Sequence, residues 1–164
     1  MTKLEIQKLA YFLQVAGEPL KLEYVKHRYG PYAENLNFLL QRVEGHFIRG
    51  YGDRSKEAEI HVLTNALGEA EEFLAGSPEA IQHLERVAEL IDGFENPYRM
   101  ELLATVHWVA ARDLDATNEP AQVVASVQQW NARKRDLFTP EHIEAAWERL
   151  HTLGWLPSAG GPGI

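Results

Sequence analysis

Cysteine is absent from the 164 residues, which excludes disulfides, zinc–thiolate centres and thiol nucleophiles. No apolar run approaches the ~18 residues that a membrane helix needs. The charges at Lys3, Glu5 and Lys8, set in an amphipathic pattern, are unlike a signal peptide. A cytoplasmic location without membrane contact is the expectation. The chain also lacks a G-x-S-x-G elbow, a phosphate loop and a G-x-G-x-x-G turn, and Gly160, Gly161 and Gly163 cluster only in a Gly/Pro-rich tail. There is no internal repeat. His27, His46, His61, His83, His107, His142 and His151 form no His-x-x-x-His pair, so neither metal nor cofactor is expected. Glu71-Glu72 is a sequential pair on a polar surface with nothing to raise its pKa, and no catalytic residue is expected.

What is present is helical. Hydrophobic residues make up 45% of the chain, enough for one sizeable core. One domain over 1–156 is expected, with 157–164 as a frayed tail. Ile6, Leu9, Ala10 and Leu13 lie at helical spacing between Lys3 and the stop at Gly17. A second helix is predicted from about Ala33 to Glu44, and a short third one from Asn65 to Leu74. Ser77-Pro78-Glu79, Asn96-Pro97, Glu119-Pro120 and Thr139-Pro140-Glu141 read as starts of four more. From Met100 to Ala110 apolar residues point in nearly every direction, which predicts a buried central helix with Trp108, Trp130 and Trp147 around it. Leu20, Leu22 and Tyr24 alternate like a brief strand, and Tyr29-Gly30-Pro31-Tyr32 reads as a structural turn. The one convincing sheet is a hairpin with arms 46–52 and 59–64. The fold class is thus mainly α: a compact domain of about seven helices around a buried central helix, with one small β-hairpin and winged-helix-like elements.

Charge is uneven. The net charge is −8, and residues 69–119 hold twelve acids against three bases. Glu85, Glu89 and Asp92 follow i, i+4, i+7 spacing on one helix, and Glu95, Asp113 and Asp115 extend the acidity at neighbouring helix ends. Such a block attracts basic surfaces and repels nucleic acid, although a solvated face kept charged for solubility has the same composition. In the winged-helix reading the hairpin loop is the wing, but its Arg49, Arg54 and Lys56 are offset by Asp53, Glu57 and Glu59. Arg133-Lys134-Arg135 is the single basic run, and cations at a helix C-terminus explain it equally well. His107, in the apolar helix, reads as a hydrogen-bonded core imidazole.

Lys8-Leu9-Ala10-Tyr11-Phe12-Leu13-Gln14, Gly17-Glu18-Pro19-Leu20 and Tyr29-Gly30-Pro31-Tyr32 resemble the opening of SocA-like, or Panacea, antitoxin domains. Val43-Glu44-Gly45-His46-Phe47-Ile48, the stretch Met100 to Ala110, and Pro140 to Trp155 look like the C-terminal domain of DarG antitoxins. The resemblance covers roughly residues 3–156. It implies a non-enzymatic antitoxin domain that binds and neutralises a DarT-like DNA ADP-ribosyltransferase toxin, its acidic helical face mimicking DNA. The macrodomain that removes ADP-ribose in that family is not matched, so glycohydrolase activity is not expected here, and Met1-Thr2 reads as a start at a domain boundary. Glu85, Glu89, Asp92, Glu95, Asp113 and Asp115 are the implied toxin contacts, with Tyr29 and Tyr32 as an apolar alternative. The implied partner is the toxin, without direct nucleic-acid binding. The competing reading is a winged-helix-like DNA-binding module that autoregulates a toxin–antitoxin operon.

Overall fold

The computed structural model describes residues 1–45, 47–50, 59–113 and 119–156. Within them the chain is mainly α, as its periodicity predicts. The order is α1 (Lys3–Ala16), β1 (Tyr24–His27), β2 (Gly30–Ala33), α2 (Glu34–Val43), β3 (Ile48–Arg49), β4 (His61–Val62), α3 (Thr64–Ala75), α4 (Pro78–Ile91), α5 (Pro97–Trp108), α6 (Pro120–Trp130), α7 (Ala132–Leu137) and α8 (Pro140–Thr152). Among the described residues there are eight α-helices where about seven are expected. The additional one, α7, carries the basic run. The tail 157–164 lies outside the described residues.

The central helix is where the sequence places it. Every residue from Met100 to Ala110 is buried, and α5 runs on through a single π-helical turn, Val109–Asp113. Phe12 of α1, Leu90 of α4, Val123 of α6, and Ile143 and Leu150 of α8 close around it. Trp108 meets Trp130 edge to face, with centroids 6.4 Å apart, and Trp147 packs half-buried against the same core. Trp155, beyond α8, is buried with its ring 5.4 Å from that of Phe12. The last described residues therefore lock the first helix.

Caps fix several helix ends. Asn96 and Thr139 accept hydrogen bonds from Arg99 N and His142 N, as their positions predict. Thr2 forms a reciprocal capping box with Glu5. Ser77 makes no side-chain cap bond, although Pro78 does open α4.

The sheet differs from the sequence reading. The expected hairpin exists; among the described residues it pairs Ile48 with Val62 and Arg49 with His61, and its loop lies outside them. A second, longer hairpin joins β1 and β2, with Tyr24 opposite Ala33 and His27 opposite Gly30. Tyr29-Gly30-Pro31-Tyr32 is therefore not a turn. The reversal falls at Arg28-Tyr29, and the glycine and proline belong to a buried strand. The reason is close packing: Gly30 has φ +94°, and a Cβ there would stand 2.8 Å from Thr105 Oγ1 of α5. Glycine serves here to bring a strand against the central helix.

Candidate functional site

Four charged side chains meet between α1, α5 and α7. Asn131 ends α6 and caps α7 by accepting from Lys134 N at 2.8 Å. This turns Lys134 inward, where it is fully buried and donates to Glu101 Oε2 at 2.7 Å. Arg133 grips the same carboxylate through both terminal nitrogens, at 2.8 and 3.1 Å. Lys8 of α1, also fully buried, donates to the Pro31 carbonyl at 2.7 Å. Two cations thus share one carboxylate, with the Lys8 amine close by. Burial alone raises the Glu101 pKa, but its bonds to Arg133 and Lys134 and their charges outweigh this and hold it below the usual value. Burial lowers Lys134 against the opposing pull of Glu101. Burial, with help from the Lys134 and Arg133 charges, brings Lys8 down to about 7 although Glu101 pulls the other way.

This cluster anchors an exposed edge. Trp130 Nε1 donates to the His27 carbonyl at 2.9 Å, while Asn131 and Arg133 both reach the Arg28 carbonyl at 3.4 Å. The β1–β2 turn is therefore tied to the α6–α7 junction. The guanidinium carbons of Arg28 and Arg133 lie 5.6 and 4.5 Å from the Tyr29 ring, and His27 stacks on Tyr32 at 4.3 Å. Lys26 lies 4.9 Å from the Trp130 ring and pairs with Asp113 at 2.5 Å. An edge of alternating aromatic rings and guanidinium groups can stack bases and neutralise phosphates. Tyr29 and Tyr32, singled out from sequence, both lie here.

The acidic candidates lie on several elements. Glu85, Glu89 and Asp92 are exposed on or just beyond α4, and Glu95 is exposed farther along. Arg149 of α8 donates to the carbonyls of Glu89, Leu90 and Asp92, which brings a cation to the end of that stripe. Asp113 is engaged by Lys26 of β1. Asp115 lies outside the described residues. Glu101, one of the twelve acids of the block, is buried inside the cationic cluster. Sequence reasoning missed this network because Arg133-Lys134-Arg135 looks like a surface run. Only the N-cap signal of Asn131 indicates that the middle residue turns inward.

His107 is the core imidazole that its position predicts. Its Nδ1 lies 2.6 Å from the Tyr11 hydroxyl, and burial brings its pKa down to about 4 despite a hydrogen bond to the Trp155 backbone. Beside it Tyr11, Gln14, Glu23, Tyr24 and Arg112 line a cavity of about 440 Å³. A larger cleft of about 700 Å³ opens between Phe94, Tyr98, Arg99 and His142. Among the described residues no group of three or more His, Asp or Glu is placed to hold a metal ion, and no helix is long and apolar enough to cross a membrane.

The chain is similar to proteins named DNA ADP-ribosyl glycohydrolase. The relative from Thermus aquaticus is 45% identical over 154 residues, which cover 94% of this chain and 42% of the relative. Those from Mycobacterium bovis and Mycobacterium tuberculosis are each 37% identical over 157 residues, or 92% of this chain and 44% of theirs. The chain thus spans less than half the length of the curated relatives it matches. No family model matches it.

These findings correct several expectations. The relatives carry an enzyme's name, whereas the resemblance to DarG antitoxins implies a non-enzymatic, toxin-binding domain. Neutralisation of a DarT-like toxin is accordingly not supported, and neither is a partner set that excludes nucleic acid, because the relatives are named for action on DNA. The reason lies in the matching words themselves. They run through almost the whole chain, but the name attached to them is that of a glycohydrolase. The winged-helix alternative is not favoured either. Of its wing, the described residues hold two paired residues per strand, and Arg54 and Lys56 lie outside them.

Proposed function

We propose that this chain serves the removal of ADP-ribose from DNA, as the helical portion of a DNA ADP-ribosyl glycohydrolase, and that it contributes contact to the modified strand. The carrying observation is the 45% identity to a protein of that name across 94% of the chain. The geometry supports the second half of the reading: the turn at Arg28-Tyr29, braced by Trp130 and Arg133, offers a cation and an aromatic face side by side. Single strands are held in this way, by stacking worth ~1–3 kcal/mol per base and by counterion release. The hydrolytic step belongs in this reading to the longer enzyme, and the location is the cytosol, where its DNA lies.

Two readouts on one oligonucleotide test it. Fluorescence anisotropy should show the chain binding an ADP-ribosylated single strand more tightly than the unmodified one. Arg28→Ala should make the salt dependence shallower by ~0.7 in log K per log salt, the contribution of one phosphate contact. Release of free ADP-ribose, followed by mass spectrometry, should be faster for the longer relative when its own matched segment is intact than when the position equivalent to Arg28 is alanine. Indifference of the chain to both strands, with an unchanged release rate, overturns the proposal.

A further inference from the structure

β1 runs from a cavity to the Arg28-Tyr29 turn. At its start Glu23 and Tyr24, with Tyr11, His107 and Arg112, line the space of about 440 Å³ described above. That volume is in the range of small-molecule pockets. Most polar groups of its wall are already occupied. The Gln14 amide makes two bonds with the Leu22 backbone, the Tyr24 hydroxyl donates to the Gln7 carbonyl, and His107 Nδ1 faces the Tyr11 hydroxyl. Two full charges are not. The Arg112 guanidinium lies 3.9 Å from the Trp108 ring centroid, with no hydrogen bond or ion pair to a described residue. Glu23 bonds Asn35 through its backbone N–H, and its carboxylate has no partner among the described residues. The two do not pair with each other.

Arg112 is carried by the π-helical turn Val109–Asp113. Such turns are rare and frequently mark functional sites. The chemistry of the two charges narrows the ligand. A guanidinium fork matches phosphate oxygens in bidentate fashion, and a carboxylate accepts from ribose hydroxyls. A ligand that satisfies both carries an anion and a diol on one small frame. The cavity also adjoins the edge already described. From Tyr24 to Arg28 the strand rises ~13 Å, and Lys26 between them pairs with Asp113, the residue after Arg112. We infer that the cavity between α1, β1 and the π turn binds a phosphorylated ribose, with Arg112 on the phosphate and Glu23 on the ribose hydroxyls. This rests on the proposed role in removing ADP-ribose from DNA, since that adduct supplies such a group.

Isothermal titration of the chain with free ADP-ribose, ribose 5-phosphate, ribose and inorganic phosphate reads the site without DNA. The first two should bind saturably. The last two should bind about 10-fold more weakly or worse, because each meets one of the two charges. Arg112→Ala should weaken ADP-ribose and ribose 5-phosphate by about 10-fold or more and leave ribose as it is. Glu23→Gln should weaken every ribose-bearing ligand and leave inorganic phosphate no weaker. Both residues are exposed, so far-UV circular dichroism should be unchanged. No binding up to millimolar concentration overturns the inference. So does inorganic phosphate binding as tightly as ribose 5-phosphate, or binding that neither variant alters. Anisotropy separates the free from the DNA-borne group: Arg112→Ala should weaken an ADP-ribosylated strand and spare the unmodified one. Equal weakening of both strands would make Arg112 a contact to the DNA backbone and overturn the site. The titrations do not involve Arg28, so their failure leaves strand contact at the β1–β2 turn to be judged by its own salt dependence.

Discussion

Glu101 shows what a single side chain decides in this molecule. It is a carboxylate on a helix buried all round, and it persists because Lys134 and Arg133 arrive from α7 with three hydrogen bonds. Removing one member of a buried pair leaves the other uncompensated, which costs more than the pair itself contributes. Glu101→Gln should therefore destabilise the chain by about 3 kcal/mol in urea unfolding, a loss expected when a fully buried ammonium loses its counter-charge. The same change should loosen the Arg28-Tyr29 turn, since Arg133 reaches both Glu101 and the Arg28 carbonyl. Had Glu101 been a solvated surface acid, as the composition of residues 69–119 suggests, the substitution would cost under ~0.5 kcal/mol.

At the scale of elements, Asn131 separates α6 from α7 and does two things: its oxygen caps Lys134 N and its nitrogen reaches the Arg28 carbonyl. Asn131→Ala should cost about 1 kcal/mol, typical of a lost N-cap, and should weaken DNA contact in step with the freed turn. Calorimetry and anisotropy on the same sample check both. The elements also show what a reader of the sequence can and cannot see. The proline starts at 78, 97, 120 and 140 and the all-apolar run of α5 are local signals, and each stands where it is expected. The β1–β2 hairpin is illegible because glycine and proline usually mark turns. Here Gly30 is demanded by Thr105, seventy-five residues away, and no local pattern records such a contact. The candidate edge was half visible, through Tyr29 and Tyr32. Arg133 was visible as part of the basic run, but nothing in Arg133-Lys134-Arg135 reveals that its middle residue is buried while Arg133 reaches the β1–β2 turn.

For the whole molecule the buried charges make stability depend on pH. Lys8 titrates near 7 in the folded chain and near ~10.4 in an open one. Between those values the unfolded chain holds a proton that the folded chain does not, so stability rises with pH through this window and is lowest below 7. Lys134, also lowered by burial, adds in the same direction. Tyr11 and Tyr24, raised by burial, act oppositely only above about pH 10, where phenols in the open chain ionise. Urea midpoints should therefore climb from pH 7 to 9.5, and Lys8→Met should flatten the climb. A flat wild-type profile would show that Lys8 keeps its proton inside the fold.

Trp155 has a consequence for how the polypeptide is born. Its indole rests on Phe12 and its backbone serves His107, so material from both ends and the middle completes a single packing layer. No stretch that emerges early from a ribosome can close that layer by itself. Until residue 155 has left the tunnel, Phe12 lacks the Trp155 ring and His107 lacks the Trp155 backbone.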